Sequence, residues 1–463
     1  MKKSVLSSAI LSAIVLSGCG GSNNEDVVNQ GRTITVIDGY LENALVCVDR
    51  NNNGVCDEGE LIGSTNSNGQ FTIPTADQDY PVIIRSIAGQ TKDKDRIGYL
   101  TQSYEMTANS SSSVVTPFTT LANANDMSVE DLASFLGFDD SSVISGDYVS
   151  LKQDADQSED AIMAHALARS LVQELPTESA NINGDELKKT AEDINSAIEE
   201  HYGNSNDINE IDENDFVRSD DGSFEVVEVI NDLQNYLIKG NEDKDAPISE
   251  WNIANFSNYW ATEEGVFSAW LTEDDLCVLE NGDIECMTYS VNGDVLSITS
   301  EDGEAENNVF IYTSTDLAFA VPDEGDLTLW TTNDLIESMS FTVSDFENKT
   351  WFIVMDDSNN ATSEPVYGEL RFGEYNTETQ TGVVTLIDSE GNIETNWTLP
   401  NGNLRIGFEE HPEESPLEVR YATTNGTIMI VNDVEQNADV FSMMTQDEAL
   451  ALNIVSKWEE ASM

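Results

Sequence analysis

The chain has 463 residues, with 87 Asp and Glu against 20 Lys and Arg, a formal net charge of −67, and 39% apolar residues. Such a charge excludes nucleic acid as a partner and opposes docking on anionic headgroups, because phosphate binding needs a basic surface. The apolar fraction excludes a disordered acidic tail, and the length predicts roughly two to four domains.

Residues 1–18 open with Lys2 and Lys3 and continue as an apolar run from Val5 to Leu16. That run is too short for a membrane span and right for an export signal. It ends in Leu16-Ser17-Gly18-Cys19, which resembles the lipobox of bacterial lipoproteins. The resemblance implies cleavage before Cys19 and acylation of both its thiol and the new amino terminus. Several acyl chains give stable anchoring, at about 0.8 kcal/mol per buried CH₂. Gly20, where inner-membrane lipoproteins carry Asp, implies the outer membrane. The expected location is therefore lipid-anchored at the bacterial outer membrane, periplasmic or surface-exposed. Residues 19–31 are small and polar and read as a lipidated tether.

Residues 32–108 carry the sharpest motif. Asp49 to Glu60 (DRNNNGVCDEGE) matches the twelve-residue EF-hand-type calcium loop. Asp49, Asn51 and Asn53 stand at positions 1, 3 and 5, Gly54 makes the sharp turn at 6, and Val55 offers its carbonyl at 7. Asp57 stands at 9 and Glu60 at 12. Calcium takes hard oxygens, and alternate residues of a tight loop point inward. The flanks, Thr33–Val36 and Gln70–Ile73, read as strands, so the loop sits in a β context. Calcium is the expected cofactor.

Asp38-Gly39-Tyr40-Leu41, Ala44 to Asp49, Asn53 to Glu60, Thr65, Gly69 and Phe71 together resemble the carboxypeptidase-regulatory-like, prealbumin-like β-sandwich of bacterial surface lipoproteins. The resemblance covers about residues 32–90. It implies a non-catalytic stalk or binding module and names no ligand.

With Cys19 spent on lipid, Cys47, Cys56, Cys277 and Cys286 remain, in two C-x₈-C pairs. Asn281-Gly282 between the second pair is a hairpin turn signal. Two local disulfides, Cys47–Cys56 and Cys277–Cys286, are expected in an oxidising compartment.

Residues 116–240 read as a helical domain after an Asn109–Ser113 linker. Ser128 caps a helix that ends at Gly137, and Met163, Leu167, Leu171 and Leu175 form an apolar stripe stopped by Pro176. Leu187 to Ile198, ending at Gly203, and Val226 to Leu237, ending at Gly240, are two more stripes. Asn204–Asp215 reads as a loop, and His165 and His201 read as structural or exposed.

From Trp251 to Val431 short alternating segments with turn signals predict an antiparallel meander. Gly282-Asp283-Ile284-Glu285 and Asn292-Gly293 recur as Gly391-Asn392-Ile393-Glu394 and Asn401-Gly402, at an offset of 109. Phe256–Trp260 parallels Phe346–Trp351, and Thr332-Asn333-Asp334 parallels Thr445-Gln446-Asp447. Two related β units follow, 250–340 and 341–445, as barrels or sandwiches, with a helix over 446–459. Their opening Trp residues resemble those of lipocalin-like barrels. Trp251, Tyr259, Trp260, Trp270, Trp330, Trp351 and Trp397 either fill the interior or hold a ligand.

The fold class expected is multidomain α+β: an N-terminal β-sandwich, a helical middle and a C-terminal antiparallel β region. No nucleophile elbow, zinc-protease or phosphate-loop motif is present, and His411 sits in an acidic loop. The expected function is a non-catalytic, calcium-stabilised outer-membrane lipoprotein serving in binding, adhesion or structure, with a glycan, lipid or protein partner. A lipocalin-like carrier of a small apolar ligand is the alternative, and a carboxylate-dependent glycan-active enzyme is the third reading.

Overall fold

The computed structural model describes residues 31–154, 157–219, 221–256, 266–280, 283–299, 303, 305–323, 325–337, 340–358, 362–389, 391–407, 416–433 and 441–462. The signal segment, Cys19, nearly all of the tether, Tyr259, Trp260, the Asn281-Gly282 turn and His411 lie outside the described residues.

Two small sheets open the fold. Leu61–Ser64, Leu45–Val48, Val82–Ser86 and Tyr104–Ala108 form one antiparallel sheet. Gln70–Ile73, Arg32–Val36 and Val114–Val115 form the other, its last pair parallel. Their apolar faces share one core with the helices that follow, from Ile34 through Phe118 and Leu167 to Phe216. The linker expected at Asn109–Ser113 is instead a turn inside this body, where Arg32 donates to the carbonyls of Asn109 and Ser112. A capping box on Thr116 starts the next helix at once, and Pro117 at its first position suits it.

The helices follow their sequence signals in part. Ser128 caps Val129–Leu136, and Gly137 ends it in the left-handed region at φ 87°. The Met163 stripe lies on Ser158–Leu171. The Leu187 stripe lies on Gly184–Ser205, which runs past Gly203 and stops at left-handed Asn206. Two expectations fail. Val226 and Val227 belong to a strand, Phe224–Glu228, paired with Asn214–Arg218, and the helix is only Leu233–Ile238. Both valines are exposed, so the adjacent apolar pair marked a β-branched hairpin rather than a helix face. The segment read as a loop, Asn204–Asp215, holds a short helix, Ile208–Asp212, and the start of that hairpin.

The C-terminal β region consists of two closed antiparallel barrels. The first runs Trp251–Phe256, Val266–Leu271, Asp275–Glu280, Asp283–Asn292, Val295–Thr299, Ala305–Thr313, Leu317–Pro322 and Leu327–Thr331, with the last strand pairing the first. The second runs Thr350–Asp356, Pro365–Asn376, Thr381–Ile387, Asn392–Thr398, Arg405–Gly407, Leu417–Thr423, Ile428–Asp433 and Phe441–Thr445, and closes the same way. The repeated segments at Asp283 and Asn392 are the fourth strands of their barrels. The extra length before the second repeat is a longer second strand, 12 residues against 6.

Strand alternation gives each barrel two buried faces. Trp251, Ile253, Ala318, Ala320 and Trp330 point into the first, while Ala254, Phe256, Phe319 and Leu329 point out. Trp351, Ile353, Met429 and Met444 point into the second, while Phe352, Val354, Ile430 and Met443 point out. The two outer faces meet the helix Glu448–Ala461, and all three share one core.

Trp251, Trp330, Trp351 and Trp397 are interior packing. Trp330 lies 6.2 Å from Trp251 and 5.3 Å from Phe310, centroid to centroid. The helix Leu233–Ile238 closes this barrel, where the Trp251 indole N–H donates to the Leu237 carbonyl at 2.9 Å. In the second barrel Phe346 lies 5.7 Å from Trp351 and 5.9 Å from Trp397. Trp397 sits opposite Gly382 in the next strand, and a Cβ on Gly382 would lie 2.1 Å from its Nε1. Gly382→Ala is therefore expected to destabilise the protein by about 1–3 kcal/mol, read from the urea midpoint, because a packed indole has nowhere to retreat.

Candidate functional site

The loop Asp49–Glu60 joins two neighbouring antiparallel strands, Leu45–Val48 and Leu61–Ser64. The Val48 N–H donates to the Glu60 carbonyl at 2.9 Å, so the loop's two ends are held together. Gly54 takes φ 74°, the left-handed conformation that the sharp turn requires. The Cys47–Cys56 disulfide ties the middle of the loop back to the entering strand. Cys277–Cys286 bridges directly opposed residues of the first barrel. Both expected disulfides are present.

The side chains at the five ligand positions all bond within the loop. The Asp49 carboxylate accepts from the N–H groups of Asn53 (3.0 Å) and Gly54 (2.8 Å). The Asp57 carboxylate accepts from the amides of Asn51 and Asn53, both at 2.8 Å. Glu60 accepts from the N–H groups of Arg50 (2.8 Å) and Asp57 (3.1 Å). Asp49 and Glu60 are only 4% and 6% exposed, so two carboxylates are held out of water close to a third. Arg50 clamps the loop from outside, on Asp77 at 2.8 and 3.0 Å and on the Gly59 carbonyl. Its guanidinium holds the Asp77 carboxyl below the usual carboxylate range. The donor set of three carboxylates, two amides and the Val55 carbonyl is all hard oxygen, as calcium requires. Among the described residues no three His, Cys, Asp or Glu side chains form a metal cluster by themselves.

A second polar assembly was invisible in the sequence. His165 and Arg169 lie one turn apart on Ser158–Leu171, 0% and 1% exposed. The Arg169 guanidinium donates to Asp215 (3.0 Å) and to the carbonyls of Asp212 (2.9 Å) and Asn214 (3.0 Å). His165 Nδ1 faces Arg169 at 3.1 Å and the Lys152 ammonium at 3.0 Å. Two cationic donors make that nitrogen the acceptor, which assigns the proton to Nε2, 2.7 Å from Asp95. Lys152 also bonds Asp212 at 2.8 Å. Burial opposes ionisation of Asp212, but the Lys152 and Arg169 charges outweigh it and hold its carboxyl below the usual range.

Arg96 extends the chain of charges, 2.6 Å from Asp215 and 3.5 Å from Asp93. Next comes Asp38, 1% exposed, whose Oδ2 accepts from the Tyr104 hydroxyl at 3.0 Å. Burial, and then the neighbouring Asp93 charge, push the Asp38 carboxyl well up. Burial and the Asp95 charge also raise the Asp93 carboxyl. Gly39 permits the arrangement, since a Cβ there would lie 1.9 Å from Asp93 Oδ1. The reading of His165 as structural or exposed is thus resolved: it is a buried member of an ionic network. His201 packs on Phe216 at 5.7 Å, near Glu210.

Asp38, Asp93, Arg96, Tyr104 and Asp215 form part of the wall of a cavity of about 510 Å³. Ile97, Leu100, Val217, Ile230, Tyr236 and Lys239 form other parts. The cavity lies outside both barrels, between their first member and the N-terminal body. The Lys239 ammonium stands over the Tyr236 ring at 4.3 Å and donates to the Thr315 carbonyl at 2.6 Å. Burial pulls its pKa down to about 8.

No family profile and no curated protein matches the chain. Among solved structures, a crystal structure of a protein of unknown function from the DUF3598 family of Nostoc punctiforme is similar at 12% identity and a TM-score of 0.22, over 46% of this chain and 96% of that one.

Proposed function

We propose that this chain is a non-catalytic, calcium-stabilised lipoprotein of the bacterial outer membrane, anchored through acylated Cys19, that serves as a binding, adhesion or structural module of the cell envelope. The two N-terminal sheets are read as its prealbumin-like sandwich. The observation that carries the proposal is the Asp49–Glu60 loop, where Asp49 and Glu60 are buried, Asp57 is held by two Asn amides, and the donors are of the type calcium prefers. The interiors of both barrels are filled with their own aromatic and aliphatic side chains, which favours this reading over a lipocalin-like carrier. A carboxylate-dependent glycan-active enzyme needs two carboxyl groups within reach of a glycosidic bond. Three acids of the cavity wall, Asp38, Asp93 and Asp215, are only 1%, 2% and 2% exposed.

Thermal melts of the calcium-stripped protein test the proposal. Calcium at a hundredfold excess over its dissociation constant is expected to add about 2.7 kcal/mol. The double variant Asp49→Asn, Glu60→Gln keeps side-chain shape and is expected to lose the response. A wild-type melt that does not move on adding calcium would sink the calcium assignment.

A further inference from the structure

The Asp49–Glu60 loop is secured unevenly. Asp49 and Glu60, at its base, are 4% and 6% exposed and adjoin the paired strands Leu45–Val48 and Leu61–Ser64. Asn51, Asn53, Val55 and Asp57 stand on the arch between them, and all four are exposed. They supply most of the oxygen donors, so burial does not fix the donor set. The hydrogen bonds inside the arch join groups that move together. The arch is tied to the rest of the fold at Cys56, by the disulfide to Cys47, and at Gly54, whose carbonyl accepts from the Ser179 hydroxyl at 3.2 Å.

The disulfide is placed to act on the donors directly. Cys56 stands between Val55 and Asp57, and Cys47 stands two residues before Asp49. Cys47 is 0% exposed on its strand, so the link joins the arch to a fixed point of the sheet. Charge works in the other direction. Asp49, Asp57, Glu58 and Glu60 crowd one short loop, and Arg50, the base among them, is engaged with Asp77. Like charges at this spacing favour an open arch until a cation arrives, and the cross-link opposes that opening.

We propose, resting on the calcium reading of this loop, that the Cys47–Cys56 disulfide is a redox control on the calcium site: oxidation makes the site competent, and reduction frees its arch. In the dithiol form calcium must order the arch as well as bind to it, and the ordering entropy is subtracted from the affinity. In the disulfide form the ordering precedes the metal. Reduction is expected to weaken calcium binding by about tenfold or more, which lies within the closure entropy of a loop this short. The step balances with a small-molecule disulfide as oxidant. The Cys47 and Cys56 thiols lose two protons and two electrons and form one S–S bond, and the oxidant's own S–S bond breaks to give two thiols. On the export reading, the chain is made as a dithiol in a reducing compartment, and oxidation after export turns calcium binding on.

Calorimetric titration with calcium tests this on the full mature chain in mild detergent. The variant Cys277→Ala, Cys286→Ala leaves the loop disulfide alone to respond. It is measured oxidised, then after reduction with dithiothreitol and removal of the reagent, then after reoxidation with oxidised glutathione. Affinity is expected to fall about tenfold or more on reduction and to return on reoxidation. Equal affinity in the two forms overturns the redox control and leaves the calcium reading standing. No calcium binding by the oxidised form overturns both. A second measurement uses the wild type. Linkage requires saturating calcium to shift the Cys47–Cys56 equilibrium in a dithiothreitol redox buffer toward the disulfide by the same factor. The oxidised fraction is read by alkylation and peptide mass spectrometry, with Cys277–Cys286 expected to show no shift. A Cys47–Cys56 equilibrium that calcium does not move overturns the proposal as well.

Discussion

Arg169→Met is expected to lower the unfolding free energy by about 3–5 kcal/mol, read as a shift in the urea midpoint at unchanged slope. The size follows from what is left behind. Arg169 is 1% exposed and donates to Asp215 and to the carbonyls of Asp212 and Asn214. Methionine fills similar volume but donates nothing. The Asp215 carboxylate, 2% exposed, would then keep only Arg96, and the half-buried carbonyls of Asp212 and Asn214 would lose this donor. His165 would lose one of the two cations that fix its tautomer. Arg169→Lys should recover part of the loss, because it restores the charge but not the planar fork. A loss below about 1 kcal/mol for Arg169→Met would mean that water replaces the guanidinium, and that the network is looser than described.

Trp458→Ala is expected to lower stability by about 3–5 kcal/mol. Leu450, Ala451, Ile454 and Trp458 form the inward stripe of the last helix, and Trp458 is 0% exposed. The stripe packs where the outer faces of the two barrels meet, beside Phe319 and Val321 of one and Phe352 and Val354 of the other. Its indole N–H donates to the Gly325 carbonyl at 2.7 Å. Asn453, on the same helix, donates to the Gly89 carbonyl at 3.1 Å and accepts from the Tyr99 hydroxyl at 3.3 Å. One helix therefore joins the barrels to each other and to the N-terminal body. Loss of the indole should also split a single unfolding transition, because the barrels would no longer share a core. A single transition with a native midpoint would contradict the wedge role.

The features that were legible in the sequence are those written in short spacings. Two C-x₈-C pairs gave two local disulfides, Ser128 and Gly137 bounded a helix, and the twofold recurrence around Asp283 and Asn392 marked equivalent strands. Barrel and sandwich could not be told apart, because closure depends on which strands pair across the ends, and alternation is the same in both. Trp260 lies outside the described residues, and Trp251 and Trp351 are the tryptophans of the two first strands. The buried network was hidden for a different reason. Asp38, Asp93, Asp95, Asp212 and Asp215 are scattered among 87 acids, and no spacing distinguishes them. The usable signal was the scarcity of bases. His165 and Arg169 stand four residues apart on a helix whose neighbouring positions are Ala161, Ala164, Leu167, Ala168 and Leu171. Two of only 23 basic or imidazole side chains on an apolar face had to be buried, and so had to have buried acids against them.

The most direct test of the central claim is native mass spectrometry of the mature protein, extracted gently from its own membrane. The account predicts a chain that begins at Cys19 with acyl chains attached, lacks four hydrogens for its two disulfides, and carries one calcium that is lost in the Asp49→Asn, Glu60→Gln variant. A chain without acyl mass, and with no calcium retained by the wild type, would contradict it.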